Sequence, residues 1–429
     1  MATSADAISN ARDNALSLRW IISARDDLIW LIGSVASSYL LLVLYVKGVL
    51  PLVPMVAAWA ILIDAPHVFG TFSRTYFDRT ERRNRKRLLW GSLLFFVVGP
   101  VMVLAGAGLV FFFLAALWAY YHLVKQHYGF MVLYKKKNND LAPIDNALDR
   151  LLLLFAFNYP FVAFIASDPE AMKRVPAPLQ SGVNMLASIL LAGTIMLALA
   201  WLGRQIQRLI TGEPLDGPKY LLLAAAIPMH WIVLLTPMPH KPIAIVAILT
   251  IYHNLQYHRL IWFHNKKYTR IAKHAVETAR SDAVNAVAGS EVAANAAAGS
   301  ELAGNAVAGS EVAANAVAGS AGILPARGSS PTVREGATDL RQQYGAAELI
   351  SRRLLYYLAF GILFGFLYQA PRQLLGYVSF KNGDGLNQSF ATQLGISFLW
   401  GYAFIHYYLD SKIWRVRRDP SVGKALNMG

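Results

Sequence analysis

Apolar residues along the chain fall into runs of about twenty, separated by short polar segments. A run of this length is what an α-helix needs to cross the hydrocarbon core of a bilayer. The runs predict an all-α fold, a polytopic transmembrane helix bundle with about ten spans. The predicted spans are 28–46, 49–66, 88–105, 108–133, 147–166, 182–202, 219–238, 241–263, 349–369 and 390–413.

Lysine and arginine residues are concentrated in every second loop. The segment 73–87, SRTYFDRTERRNRKR, holds seven of them between the second and third spans, and KKKNND follows the fourth span. The alternate loops are poorer in positive charge. Because short basic loops remain in the cytoplasm, the pattern predicts that both termini are cytoplasmic. The chain is therefore predicted to be a multi-pass integral membrane protein, located in the inner or plasma membrane if the source is bacterial.

A low-complexity segment interrupts the membrane pattern. From Asn285 a ten-residue unit repeats, NAVAGSEVAA, NAAAGSELAG and so on, with few bulky side chains. Such a segment cannot bury enough apolar surface to form a packed domain, so we expect a flexible or weakly helical cytoplasmic insert without chemistry. The predicted organisation is a cytoplasmic segment 1–27, spans one to eight in 28–264, the insert 265–348, spans nine and ten in 349–414, and a basic tail 415–429.

The composition agrees with this pattern and excludes several kinds of functional site. Charged residues make up 15% of the chain, against roughly 25% in an ordinary globular domain. The net charge is +15, but the basic residues sit in loops between apolar runs and form no face with interleaved aromatics, so nucleic-acid binding is not expected. The chain has no cysteine, which excludes disulfides, thiolate metal sites and cysteine nucleophiles.

The histidines carry the functional signal. Polar, metal-binding side chains inside apolar segments are costly and are candidates for function. Six of the ten histidines close the second, fourth, eighth and tenth predicted spans, which all run in the same direction, so we expect them at one depth near the cytoplasmic face. These candidate metal ligands are His67, His122, His127, His253, His258 and His406.

Two of the histidine segments, H-L-V-K-Q-H and H-N-L-Q-Y-H, place two histidines five residues apart. In a regular helix these rings diverge by about 140°. A π-bulge would return both rings to one face. Alternatively, each helix offers one histidine to a central site and the other to a neighbour. The sequence leaves both arrangements open.

Carboxylates and a tyrosine accompany the histidines. Asp64 precedes His67 by three residues, and Asp410 follows His406 by four, on one helical face. Such a carboxylate can bind metal or orient a histidine ring. We therefore name Asp64, Asp410 and Tyr257 as candidate catalytic residues. Three of the other histidines have more ordinary interpretations, as interfacial anchors or a loop residue, and for the one in mid-span, His230, a helix–helix hydrogen bond and a functional role are equally open. The three are His264, His274 and His240.

The clusters around 64–67, 122–127, 253–258 and 406–410 resemble those of the histidine-rich membrane oxygenases, namely the fatty-acid desaturases, lipid hydroxylases and alkane hydroxylases. Those families use H-x3-H and H-x2-H-H boxes, whereas this chain has H-x4-H twice. The bacterial carotenoid-cleaving membrane dioxygenases, which bind iron through single histidines on several helices, are similar in the same way. The resemblance implies iron, with two ions, a lipid or other long hydrophobic substrate, dioxygen and a cytoplasmic electron-donor protein.

The sequence therefore predicts a membrane metalloenzyme that hydroxylates, desaturates or oxidatively cleaves a hydrophobic substrate. Copper and zinc are the alternative metals. Three other functions fit the same residues: a transporter or channel with a histidine pathway, a haem-binding electron carrier, and a non-oxidative enzyme such as a zinc hydrolase or lipid transferase.

Overall fold

A computed structural model describes residues 16–266, 268, 281, 341–381, 389–414 and 420–426. Long helices make up most of this part of the chain, which confirms the all-α class. In chain order the helices are α1 (Ala24–Val46), α2 (Leu52–Thr75), α3 (Arg79–Asn84), α4 (Lys86–Leu104), α5 (Gly108–Lys137), α6 (Pro143–Ser167), α7 (Pro169–Met172), α8 (Ala177–Gln180), α9 (Val183–Ile210), α10 (Gly217–Leu235), α11 (241–266), α12 (Ala346–Ser351), α13 (Leu354–Lys381), α14 (Phe390–Ile413) and α15 (Pro420–Ala425). Two short strands, β1 (Leu16–Ser17) and β2 (Leu215–Asp216), pair in parallel.

Eight of the described helices are long and apolar enough to cross a membrane. They are α1, α2, α4, α5, α6, α9, α10 and, over Leu354–Val378, α13. Their outer faces expose large apolar side chains; on α9, for example, Met196 and Leu199 are 69% and 66% exposed. Soluble monomers rarely expose large contiguous apolar patches, whereas lipid accommodates them. The chain is therefore an integral membrane protein.

Helices α11 and α14 correspond to the predicted eighth and tenth spans. Both are less hydrophobic than the eight helices above and are not counted with them. Helix α11 lies in the middle of the bundle, since Ala247, Ile248, Tyr252, Tyr257 and Ile261 are at most 2% exposed although they point in different directions around the helix. Burial among other helices explains how α11 can carry several polar side chains. The total of ten spans and the cytoplasmic termini stay predictions.

A π-helical stretch, Ala60–Asp64, interrupts helix α2 just before Pro66. Proline has no backbone N–H and its ring crowds the preceding turn, so a regular α-helix cannot continue through it without adjustment. The Ile63 carbonyl accepts a hydrogen bond of 2.9 Å from Nε2 of His258, and the Tyr357 hydroxyl lies 3.2 Å from Nδ1 of the same ring and 3.3 Å from the Pro66 carbonyl. The irregular stretch thereby ties α2 to α11 and α13 beside the first histidine.

A buried group of charged side chains joins α5, α6, α9 and α10 at one end of the bundle. Nζ of Lys219 lies 2.5 Å from Asp140 and 3.1 Å from Asp149, Lys135 also pairs with Asp149, and Nη1 of Arg208 lies 3.0 Å from Asp140. Burial acts to raise the pKa of Asp140, but the surrounding cations outweigh it and lower this pKa. Lys135, which the sequence places in a basic loop, is therefore a buried structural residue.

The end of the predicted insert packs against the loop that follows α2. The backbone N–H of Ala347 donates to the Phe77 carbonyl at 3.2 Å, and Gly345 forms a β-bridge with Asp78. The decapeptide repeats, 285–320, lie outside the described residues. The domain boundaries accordingly stay predictions.

Candidate metal centre

Four histidines from four different helices meet inside the bundle. His67 comes from α2, His122 from α5, His253 from α11 and His406 from α14, and all four are buried. The ring centroids of His67 and His406 are 4.5 Å apart, those of His122 and His406 are 4.8 Å apart, and those of His67 and His253 are also 4.8 Å apart. We call these four residues the central histidines.

The spacing of the central histidines matches a ring of ligands around one point. A nitrogen bound about 2.1 Å from an ion places its ring centroid about 3.2 Å from that ion. Two such rings at right angles then have centroids about 4.5 Å apart, and two opposite rings about 6.4 Å apart. His67 and His122 are 6.4 Å apart, and His122 and His253 are 5.2 Å apart. His67 and His122 therefore lie opposite each other, with His253 and His406 beside them.

Each central histidine also has a buried ring nitrogen without a hydrogen-bond partner in the described part of the chain. These atoms are Nδ1 of His67, Nε2 of His122, Nδ1 of His253 and Nε2 of His406. One potential ligand atom from each of His67, His122 and His406 can be chosen so that all three lie within 4.8 Å of one another. Buried polar atoms are normally paired. Three buried imidazoles with ligand atoms this close together, and His253 beside them, fit a transition-metal ion, for which imidazole is a common ligand.

A hydrogen-bonded chain behind His406 fixes its protonation. The Thr71 hydroxyl donates to Oδ1 of Asp410 at 2.5 Å and lies 2.8 Å from Nδ1 of His406. Because the hydroxyl has a single hydrogen and gives it to the carboxylate, it must accept from Nδ1–H of His406. The hydrogen of the neutral ring is then on Nδ1, and Nε2 presents its lone pair to the centre. This is the second-layer support that metal-binding histidines usually have.

Tyr257 belongs to the same chain. Its hydroxyl donates to Oδ1 of Asp410 at 2.8 Å and lies 2.7 Å from the Thr71 hydroxyl, and its ring centroid is 4.5 Å from that of His67. Gly70 permits this approach, since a Cβ there would lie 3.1 Å from the Tyr257 ring. The structure thus brings two predicted catalytic residues, Asp410 and Tyr257, to the central histidines. Whether they act in catalysis stays a prediction.

Helix α5 is regular through both of its histidines, so they diverge. His122 faces the central site, whereas His127 faces His230 of α10, with ring centroids 5.4 Å apart. Of the two arrangements that the sequence left open, α5 therefore adopts the one that gives a histidine to each of two places. Helix α11 is also regular through its two histidines, so the rings of His253 and His258 diverge in the same way.

Two predicted site residues have other partners. Nε2 of His258 bonds to the Ile63 carbonyl and Nδ1 lies 3.2 Å from the Tyr357 hydroxyl, so both ring nitrogens are engaged. Asp64 accepts hydrogen bonds from Gln369 at 2.7 Å and from Asn254 at 3.2 Å rather than from a histidine ring. Ligation by His258 and a catalytic role for Asp64 stay predictions, without support from these contacts.

Thr71 and His230 are the residues that sequence reasoning missed at this site. Thr71 follows His67 by four residues, as Asp410 follows His406, so one helical turn from a candidate ligand was the available signal. For His230 the sequence left a helix–helix hydrogen bond and a functional role equally open. Nothing local in the sequence indicates that α10 lies beside His127 of α5.

The fold and this centre define a class: an α-helical integral membrane protein with a buried, thiolate-free histidine cluster suited to a transition metal. The chain matches no protein-family description, no curated protein and no solved structure at a significant level. The centre's own geometry is therefore the basis for assigning a function.

Proposed function

We propose that this protein is a membrane-embedded metalloenzyme that binds iron through the central histidines and oxidises a lipid or other long hydrophobic molecule with dioxygen. The observation that supports the proposal is the meeting of four buried histidines from four helices, three of which, His67, His122 and His406, can place ligand atoms within 4.8 Å of one another. A site with nitrogen ligands and no thiolate suits iron, copper or zinc. Iron, when bound, supplies activation of dioxygen for attack on an unactivated carbon, which matches a lipid-embedded location.

The residues behind the histidines suit proton handling. Tyr257 and Thr71 both contact Oδ1 of Asp410, and Thr71 connects this carboxylate to the ring of His406. In the proposed enzyme, Asp410 orients His406 through Thr71, and the Tyr257 hydroxyl holds a proton at the edge of the site. Both roles require hydrogen-bond distances, which the structure provides.

Apolar side chains beside the site suit exclusion of water. Tyr407 stacks on His122 with ring centroids 4.4 Å apart, and Phe404 and Phe111 continue this wall between α14 and α5. On the same stretch of α5, Leu114 is 51% exposed on the outer surface of the bundle. In the proposed enzyme, a hydrophobic substrate would reach the site from the lipid, and this wall would exclude water from the reaction.

The orientation and partner complete the proposal. With about ten spans and both termini in the cytoplasm, the basic loops face inward and the metal centre lies toward that side. Hydroxylation or desaturation needs two electrons in addition to dioxygen, which a cytoplasmic electron-donor protein would bring to this basic surface. Oxidative cleavage that incorporates both oxygen atoms needs no donor.

Metal analysis of the detergent-purified protein is the direct test. We expect at least one iron per chain in the unaltered protein and a loss of about one ion in the double variant His122→Asn/His406→Asn. Asparagine keeps an amide at the position of Nδ1 but has no atom at Nε2. The matched control is His240→Asn, because His240 is exposed and adopts φ 45°, a conformation that asparagine tolerates. Size-exclusion profiles establish that each variant is folded.

The outcomes separate the competing functions. Absence of any stoichiometric transition metal from the unaltered protein overturns the proposal. A Soret band indicates a haem carrier, and zinc as the sole metal indicates a non-oxidative enzyme. Uptake of Fe²⁺ into proteoliposomes indicates transport. Dioxygen consumption by the Fe²⁺-loaded protein in the presence of a total lipid extract, absent in the double variant, supports oxidation.

A further inference from the structure

We propose a second metal site formed by His127 of α5 and His230 of α10, separate from the central histidines. The inference rests on the proposed function in that both sites would serve one metalloenzyme, but its observations are independent. His127 and His230 are both 0% exposed and lie between α5, α6, α10 and α11. The ligand would be a first-row transition-metal ion that accepts imidazole nitrogen.

The first observation is that the backbone fixes the protonation of both rings. Nδ1 of His127 lies 3.0 Å from the Leu123 carbonyl, and Nδ1 of His230 lies 2.8 Å from the Ala226 carbonyl. A carbonyl can only accept, so each Nδ1 carries the hydrogen and each Nε2 has a lone pair. Neither Nε2 has a partner among the residues that the structure describes. The two buried Nε2 atoms are both acceptors, so neither can donate a hydrogen bond to the other. A cation bound between them would be a partner for both lone pairs.

The second observation is the spacing of the rings. Two imidazoles on one ion, separated by an angle between tetrahedral and trigonal, have centroids about 5.2–5.5 Å apart. The centroids of His127 and His230 are 5.4 Å apart, and their planes are nearly perpendicular at 87°. The Phe157 ring stacks on His230 at 3.9 Å and holds it in this position. The centroid distance therefore fits two imidazoles on one ion.

The third observation is the position of His253. It belongs to the central histidines, and its chain neighbour Tyr252 lies against His127, with ring centroids 5.3 Å apart. Gln126, between the two histidines of α5, donates to the His253 carbonyl at 2.7 Å and fixes α11 against α5 at this level. The second site therefore uses the same stretches of α5 and α11 as the central histidines.

The test is the number of metal ions per chain in purified protein loaded separately with Fe²⁺ and Zn²⁺. We expect two ions in the unaltered protein, one in His127→Asn/His230→Asn, one in His122→Asn/His406→Asn, and two in the control His240→Asn. Asparagine keeps a donor for the Leu123 or Ala226 carbonyl while removing Nε2. The two single variants, His127→Asn and His230→Asn, should each also bind one ion, which keeps the test valid if the double variant folds poorly.

A spectroscopic measurement gives a second readout. Co²⁺ absorption in the visible range should lose one component in His127→Asn/His230→Asn and a different component in His122→Asn/His406→Asn. If His127→Asn/His230→Asn binds as many ions as the unaltered protein, the second site does not exist. If the unaltered protein binds a single ion that only His122→Asn/His406→Asn removes, the second site fails and the proposed function stands. If only His127→Asn/His230→Asn removes that ion, the second site exists and the proposed function fails.

Discussion

Replacing Thr71 by valine tests whether the hydrogen-bonded chain behind His406 prepares this ring for metal binding. Valine has nearly the same shape as threonine and the same branching at Cβ, so packing in this fully buried position is preserved. What is lost is Oγ1, which lies 2.8 Å from Nδ1 of His406, 2.5 Å from Oδ1 of Asp410 and 2.7 Å from the Tyr257 hydroxyl. The variant therefore isolates the polar contribution of one atom.

The magnitude follows from which atoms lose their partner. Tyr257 still donates to Asp410 at 2.8 Å, so these two residues keep each other. Nδ1 of His406 has no such alternative, since Oδ2 of Asp410 is 3.8 Å away, beyond hydrogen-bond distance. An unpaired buried donor costs about 1–3 kcal/mol. Loss of a residue that orients a metal-binding histidine lowers metal affinity about 10- to 100-fold, which is the same range of free energy.

The measurement is the metal dissociation constant of the purified protein, obtained by competition with a chelator, for Thr71→Val and for the control Thr71→Ser. We expect weakening of about 10- to 100-fold for valine. For serine, which keeps the hydroxyl but loses a methyl group, we expect affinity within about twofold of the unaltered protein and a stability loss of about 0.5–1.5 kcal/mol. Equal affinities for the valine and serine variants would refute the argument that Thr71 positions His406.

Three further predictions concern the surroundings of the site. His258→Asn should keep the full metal content and lower thermal stability in detergent, because both ring nitrogens make hydrogen bonds; loss of an ion instead would restore this residue as a ligand. Gly361→Ala should lower stability by about 1–3 kcal/mol and should also lower metal affinity, because its Cβ would lie 2.7 Å from Pro66. The control is Gly376→Ala on the same helix, where the added Cβ meets open space and the change should be neutral or slightly stabilising. Burial raises the pKa of Asp216 from 3.8 to about 6, so its ionisation destabilises the fold as pH rises through this range. The stability of Asp216→Asn relative to the unaltered protein should therefore increase by about 2 kcal/mol between pH 4 and pH 7. A stability difference independent of pH would contradict this pKa.

The membrane fold was largely predictable because its cause is local. A run of twenty apolar residues has few alternatives to a membrane-spanning helix, and the positions of the described helices agree with the predicted spans. The exceptions have a physical reason. Lys135 was assigned to a solvent-exposed basic loop, but Asp149, fourteen residues later, returns beside it on α6 and pairs with it. Helix pairing of this kind depends on the packing of α5 against α6, which hydropathy does not encode.

The candidate site was predictable as a set of residue types but not as a set of partners. Four predicted spans carry histidine at corresponding ends, and this was sufficient to expect a cluster. In the structure, His67, His122, His253 and His406 do meet. Which ring of each H-x4-H pair faces the centre depends on how a regular helix is rotated in the bundle. That rotation is set by contacts with helices distant in sequence, which is also why His230 could not be assigned to His127.

The energetic cost of the buried histidines indicates that they serve a ligand. Six buried imidazole nitrogens in two adjoining groups lack a hydrogen-bond partner within the described chain. At about 1–3 kcal/mol for each unpaired buried polar atom, their combined cost is comparable to the whole stability of a typical protein, about 5–15 kcal/mol. Leucine or phenylalanine at these positions would avoid the cost, so stability alone does not explain six histidines. Either ordered water or metal must satisfy the nitrogens. Water needs hydrogen-bond partners in several directions, whereas neighbouring imidazole rings at the spacing of His67–His406, 4.5 Å, and of His127–His230, 5.4 Å, are better matched to cations.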